Sequence, residues 1–189
     1  MSSSAAARIP AVLDLDGDQR ALLAQALPTP DAAPPNVMAT LVRHPVLMRR
    51  INALGGVFLV HGRLPPRERE LAILRVAWRV GSLYEYGQHV VLGQRAGLTE
   101  DELAQVCGGK LTGWSAADDE LLRFVDQVLT RARVPDELWS ALNERFSLEQ
   151  LLEFTALVGF YAMMAGIIDV AGIPLDEGYV AEWPTAVRS

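Results

Sequence analysis

The stretch "LPPRERELAILRVAWRVGSLYEYGQHVVLGQRAGLTEDEL", Leu64 to Leu103, decides the fold. Pro65 and Pro66 stand where a helix tolerates proline, at its first turn. Leu71, Leu74, Val76 and Trp78 follow at largely helical spacing. Gly81 interrupts the pattern. A second helix is expected from about Ser82 to Ala96, with Gly97 as its C-terminal cap. Thr99 then opens a third, because Glu102 stands three residues on, as a capping box requires.

The same punctuation runs through the rest of the chain. Met38 to about Phe58 reads as helix, with Pro45 able to open a second one and Gly55–Gly56 weakening or ending it. "SAADDELLRFVDQVLTRARV" begins at a Ser115 or Asp118 cap, "PDELWSALNERF" at Pro135, and "SLEQLLEFTALVGFYAMMAGIIDVAG" at Ser147 with Gln150 in third place. No strand pattern, Asn-Gly turn or internal repeat appears. The expectation is an all-α bundle of about seven or eight helices.

The domain reading follows. Residues 1–36 are rich in Ala, Pro and Ser, and "LPTPDAAPPN" cannot be a helix interior, so this part reads as an arm or linker. Residues 37–177 form the helical domain, and 178–189 a tail. Trp78, Trp114, Trp139 and Trp183 share no spacing and read as packing residues, Trp183 as an anchor for the tail.

The chain has 189 residues and a formal net charge of −6. With a pI near 5.1 and no basic stripe, it is a poor partner for nucleic acid. Half the residues are hydrophobic, which favours apolar surface buried between copies of the chain. The apolar run Phe154–Ile168 is shorter than the roughly 20 residues a bilayer needs, and reads as a core helix rather than a membrane span. The N-terminus lacks the pattern of a secretory signal. Cys107 is the single cysteine, so no internal disulfide or cysteine-rich metal site can form, in keeping with a reducing cytoplasm. It reads as a buried small hydrophobe.

Ser82, Glu85 and His89 are related as i, i+3 and i+7, and share one stripe of their helix. Glu85 and His89, four apart, are within reach of a hydrogen bond. A carboxylate on one ring nitrogen fixes the tautomer and makes the other nitrogen a proton carrier near neutral pH. Glu70 supplies a second acid if the two helices fold back on each other. Spacing alone leaves open a surface salt bridge instead.

This stretch resembles the carboxymuconolactone decarboxylase family, which includes the alkylhydroperoxidase D-like proteins. The resemblance rests on Leu64, Arg67, Arg69, Glu70, Tyr84, Glu85, Tyr86, His89, Ala96, Gly97, Leu98, Thr99 and Glu102, and extends over roughly residues 36 to 177. The peroxidase branch carries Cys-x-x-Cys four residues before the histidine. Aligned on His89, those positions are Ser82 and Glu85, so thiol peroxidase chemistry is not supported.

The resemblance implies an alkylhydroperoxidase D-like bundle, a homo-oligomer (trimer or hexamer), and a cofactor-independent, metal-free lyase or isomerase acting on a small carboxylic acid or lactone. His89 would transfer the proton, Glu85 orient it, and Glu70 tune or relay protons. Ser82, Tyr84 and Tyr86 would donate hydrogen bonds to substrate oxygens. Arg43 and His44 are the candidates for holding an anionic group, with Asn36 weaker. Tyr161 and Met163 face either the pocket or the core, the core being favoured. An antioxidant of the peroxidase branch without its thiols, and a non-catalytic oligomeric binding protein, are the alternatives.

Overall fold

The computed structural model describes residues 7–25, 33–108, 113–179 and 182–184. Among them the chain is all-α, with nine α-helices and no strand. The helices are α1 (Gly17–Ala24), α2 (Asn36–Leu41), α3 (Pro45–Gly56), α4 (Pro66–Val80), α5 (Leu83–Arg95), α6 (Glu100–Gln105), α7 (Ala116–Thr130), α8 (Asp136–Arg145) and α9 (Leu148–Ala171).

The caps read from sequence are in place. Thr99–Glu102 and Ser147–Gln150 are reciprocal capping boxes, and Ser115, not Asp118, caps α7. One helix is additional. Asp16 and Gln19 build a capping box for α1, whose Leu22 and Leu23 enter the core. Within the segment read as an arm, the Ile9 amide donates to Ala171 O and the Val12 amide to Ala39 O. Most of "LPTPDAAPPN" (residues 27–32) lies outside the described residues; Pro35 and Asn36 open α2.

The α-helical turns of α3 end at Gly56, and the chain runs on through one π-helical turn, Val57–His61. A β-carbon at Gly62, just beyond it, would collide with the Glu153 carboxyl and the Val57 carbonyl oxygen. Only glycine lets the chain pass this close to α9.

Helix α4 is the hub, packed by α5, α7 and α9. Leu71, Ala72, Ile73, Leu74, Val76 and Ala77 have no exposed surface, so it is buried all round. It still carries charge. Arg75, 1% exposed, pairs with both oxygens of Asp126 at 2.9 and 2.7 Å and donates to the carbonyls of Val106 and Gly108. Near its start, Arg67 grips Asp118 and Glu102, tying α4 to α7 and α6.

Gly81, in the left-handed region at φ 76°, ends α4, and the Ser82 amide donates back to Ala77 O at 2.8 Å. This tight reversal lays α5 against α4. Helix α9 is 24 residues long and is long and apolar enough, by length and composition, to cross a membrane. The apolar run noted in the sequence is thus only its middle. One side (Phe154, Leu157, Val158) is fully buried, while Leu148, Leu152, Met163 and Val170 lie exposed.

Replacing Arg75 with alanine takes the donors from the Val106 and Gly108 carbonyls and leaves Asp126, partly exposed, with Arg79 as its remaining partner at 3.3 Å. Urea unfolding should show a loss of about 2–3 kcal/mol, from the lost hydrogen bonds and the space left in the core.

A candidate acid–base site

A cavity of about 610 Å³ opens between α2, α3, the π-turn, α5 and α9. Its walls are mostly apolar, from Val37, Ile51, Leu59, Leu92, Phe160 and Met164. His89 and Glu85 line it from α5.

The reversal at Gly81 brings His89 onto Glu70 of α4. His89 Nδ1 lies 2.7 Å from Glu70 Oε2, with the carboxyl fully buried and His89 7% exposed. The other oxygen, Oε1, accepts from Arg69 Nε at 2.8 Å. Burial pushes the Glu70 carboxyl up, but the hydrogen bonds and charges of His89 and Arg69 outweigh it and hold it below the usual carboxylate range. An ionised Glu70 takes the Nδ1 proton of a neutral imidazole as hydrogen bond. That leaves Nε2 with its lone pair free for work.

Glu85 is not the partner of His89. Its Oε2 is enclosed and has no hydrogen-bond partner among the described residues. Burial alone pushes this carboxyl well above its ordinary value. The two acids thus exchange the parts expected of them: Glu70 orients the imidazole, and Glu85 is a carboxyl held toward its neutral, proton-donating form. Tyr161 of α9 also lines the cavity, its ring edge-on to His89 with centroids 5.0 Å apart. It belongs to the core as well, at 5% exposed. Burial, reinforced by the charge of Glu70, keeps its hydroxyl protonated.

The other candidates are deployed elsewhere. Ser82 caps α5, accepting from the Glu85 amide at 3.4 Å, and borders a separate hollow of about 440 Å³. Tyr86 donates to Leu103 O at 3.0 Å and packs on Trp183, which also meets Trp78 edge-on; it faces away from the cavity. Tyr84 does border the cavity, but its hydroxyl donates to Asp176 Oδ2 at 2.5 Å. Arg43 Nε donates to Pro10 O at 2.6 Å, clasping the N-terminal segment. His44 caps α3, accepting from the Leu47 amide. Asn36 binds the C-terminal segment through Pro174 O and Asp176. None of these last three supplies the cavity with a cation or a donor. Met163 is exposed, and Cys107 is buried with its thiol pushed up to about 12 by burial.

Four polar lining residues are absent from the sequence-based set: Gln25, Asn52, His61 and Gln88. Asn52 was legible, since Met48, Ile51, Asn52 and Gly55 share one helical stripe, and an amide stands out on it. His61 sits in the π-turn, which has no sequence signature here. Among the described residues no group of three or more His, Cys, Asp or Glu could hold a metal ion.

Residues 45–118, which carry Glu70, Glu85 and His89, match the carboxymuconolactone decarboxylase family. The fold is that of the alkylhydroperoxidase D-like proteins. It resembles the crystal structure of an alkylhydroperoxidase AhpD core, a peroxidase-related protein from Ralstonia eutropha JMP134, at TM-score 0.76 and 21% identity, covering 90% of this chain and 93% of that one. A peroxidase-related protein from Silicibacter sp. TM1040 gives TM-score 0.74 at 14% identity over 97% and 96% of the two chains. The debrominase Bmp8, as a Cys-to-Ala variant in complex with 2,3,4-tribromopyrrole, gives 0.69 at 14% identity over 93% and 95%. No curated protein matches the chain.

Glu85→Gln tests the buried acid. A carboxyl whose folded pKa is raised above the ordinary 4.5 weakens the fold as pH rises through that range. The isosteric amide removes this loss. The variant should melt higher than wild type at pH 8, and the gap should close at about pH 4. Equal melting temperatures at both would contradict the assignment.

Proposed function

We propose that the chain is a cofactor-independent acid–base catalyst of the carboxymuconolactone decarboxylase type. It would act as a lyase or isomerase on a small carboxylic acid or lactone. One observation carries this: an imidazole on a cavity wall, anchored through Nδ1 by a buried carboxylate, beside a second carboxyl that is buried and unpartnered.

The chemistry follows from the two environments. His89 Nε2 takes a proton from carbon next to a carbonyl, or returns one to carbon after CO₂ leaves. Either step passes through an enolate, whose oxygen gains negative charge. Glu85 in its neutral form and the Tyr161 hydroxyl donate hydrogen bonds to that oxygen. Glu70 holds the imidazole in the right tautomer and offsets its charge once protonated. The substrate-oxygen role expected of Ser82, Tyr84 and Tyr86 passes to these groups.

The peroxidase-branch alternative has less support: Ser82 serves as a helix cap and Cys107 is enclosed. A binding protein without turnover is separated from a catalyst by the assay below. A cytoplasmic homo-oligomer remains part of the proposal. The exposed apolar stripe Leu148, Leu152, Met163 and Val170 on α9 is the surface a second copy would cover.

A panel of small lactones and β-keto acids is incubated in D₂O, and exchange or loss at carbon is followed by NMR. His89→Gln should slow turnover by about 10²-fold or more, with Glu70→Gln slower than wild type by a smaller factor. A His89→Gln protein with full turnover would sink the reading.

Light scattering checks the assembly. Leu152→Glu should shift the protein to a smaller species while the helical CD spectrum stays unchanged.

A further inference from the structure

The polar groups lining the cavity either give hydrogen bonds or receive them, and the protein uses the two kinds unequally. Three donors are taken. The Tyr84 hydroxyl and the Gln88 amide both donate to Asp176 Oδ2, at 2.5 and 2.7 Å. Asp176 lies outside the lining, beyond the end of α9, and also accepts from the Asn36 amide at 2.7 Å. The Nδ1 proton of His89 goes to Glu70.

On the receiving side one atom is left over. Asn52 lines the cavity from α3, its Oδ1 is enclosed, and that oxygen accepts from no donor among the described residues. A buried acceptor in this state asks for a donor, and a ligand can bring one. The neighbouring groups already have parts in the acid–base reading: His89 Nε2 carries the proton, and neutral Glu85 and the Tyr161 hydroxyl donate to the enolate oxygen. Asn52 has none. It stands on α3, whereas those three come from α5 and α9.

What an amide oxygen asks for is specific. A ketone, ester or ether oxygen set against Asn52 Oδ1 would bring lone pair to lone pair. A hydroxyl gives the missing proton and carries no net charge. An ammonium group would also give one, but it would lose its hydration here and need Glu85 ionised against the pull of its burial. The rest of the lining is mostly apolar. Phe160 and Tyr161, edge to face with centroids 5.4 Å apart, offer aromatic surface to a flat ring.

We propose that the cavity takes a ring compound bearing a neutral hydroxyl, and that this hydroxyl donates to Asn52 Oδ1. The binding step stands on the cavity alone. What then happens to the ligand rests on the acid–base reading, within which the substrate carries this hydroxyl in addition to the carbonyl or carboxyl group at which His89 acts. Asn52 fixes which way round the ring lies before the proton moves.

Ligand-observed NMR titration at neutral pH compares three probes: 2-naphthol, 2-fluoronaphthalene, which has nearly the same outline and no donor, and 2-naphthylmethylammonium, whose donor is charged. 2-Naphthol should bind about fivefold or more tighter than 2-fluoronaphthalene. In Asn52→Leu, of similar volume, that ratio should fall to about one, while 2-fluoronaphthalene binds as in wild type, which shows that the variant's cavity is intact. Asn52→Ala, which cannot overfill the site, repeats the reading. Equal binding of the first two probes by wild type would overturn the proposal. So would a ratio unchanged in both variants, tightest binding of the ammonium, or no binding of any probe. The titrations are repeated in His89→Gln, where the ratio should persist; its collapse there would put the hydroxyl on the imidazole instead of Asn52. Failure of the catalytic reading would appear only as absent exchange in D₂O, with the binding ratio intact.

Discussion

A charge inside an apolar helix must be met, and helix α4 meets this constraint three times. Arg67, Glu70 and Arg75 occupy a helix whose middle, Leu71–Ala77, is otherwise aliphatic and buried. Their partners come from three neighbouring helices: Asp118 of α7 and Glu102 of α6 for the first, His89 of α5 for the second, Asp126 of α7 for the third. These pairings fix how α5, α6 and α7 are set against α4. The imidazole is placed by the same requirement that organises the bundle, so the site is a product of the packing rather than an addition to it.

Two carboxyls on adjacent helices then differ sharply in character. Glu70 has an imidazole and a guanidinium to balance it, and stays ionised despite complete burial. Glu85 has neither, and burial alone decides its state. Groups of one chemical type pushed apart by their surroundings are how a protein obtains an acid and a base at one pH.

Much of this was legible in the sequence. The caps, the glycine stops and the helical periods of α4, α5 and α9 gave the all-α bundle, because each is a local property of a few residues. The Glu70, Glu85 and His89 grouping was legible as well. What was not legible was who holds whom. Glu85 and His89 are four apart on one helix and invite pairing, yet the bond goes to a residue nineteen positions earlier. That choice depends on how α5 is rotated against α4, which no local pattern records. Arg43 was misjudged for a similar reason: its partners, Pro10 and Ala11, come from a segment read as a free arm. Helix α1 lies inside a segment whose proline-rich composition masks the Asp16–Gln19 capping signal.

The π-turn at Val57–His61 and the glycine after it carry a different implication. Leu59, Val60 and His61 form part of the cavity lining, and the strand of backbone leaving them is wedged against Glu153 with no room for a side chain. The shape of this wall is therefore set by main-chain placement, on an element that carries none of Glu70, Glu85 and His89. Lengthening or shortening this turn by one residue would re-aim the whole rim at once, so new ligand preferences could evolve there without disturbing the buried machinery beneath.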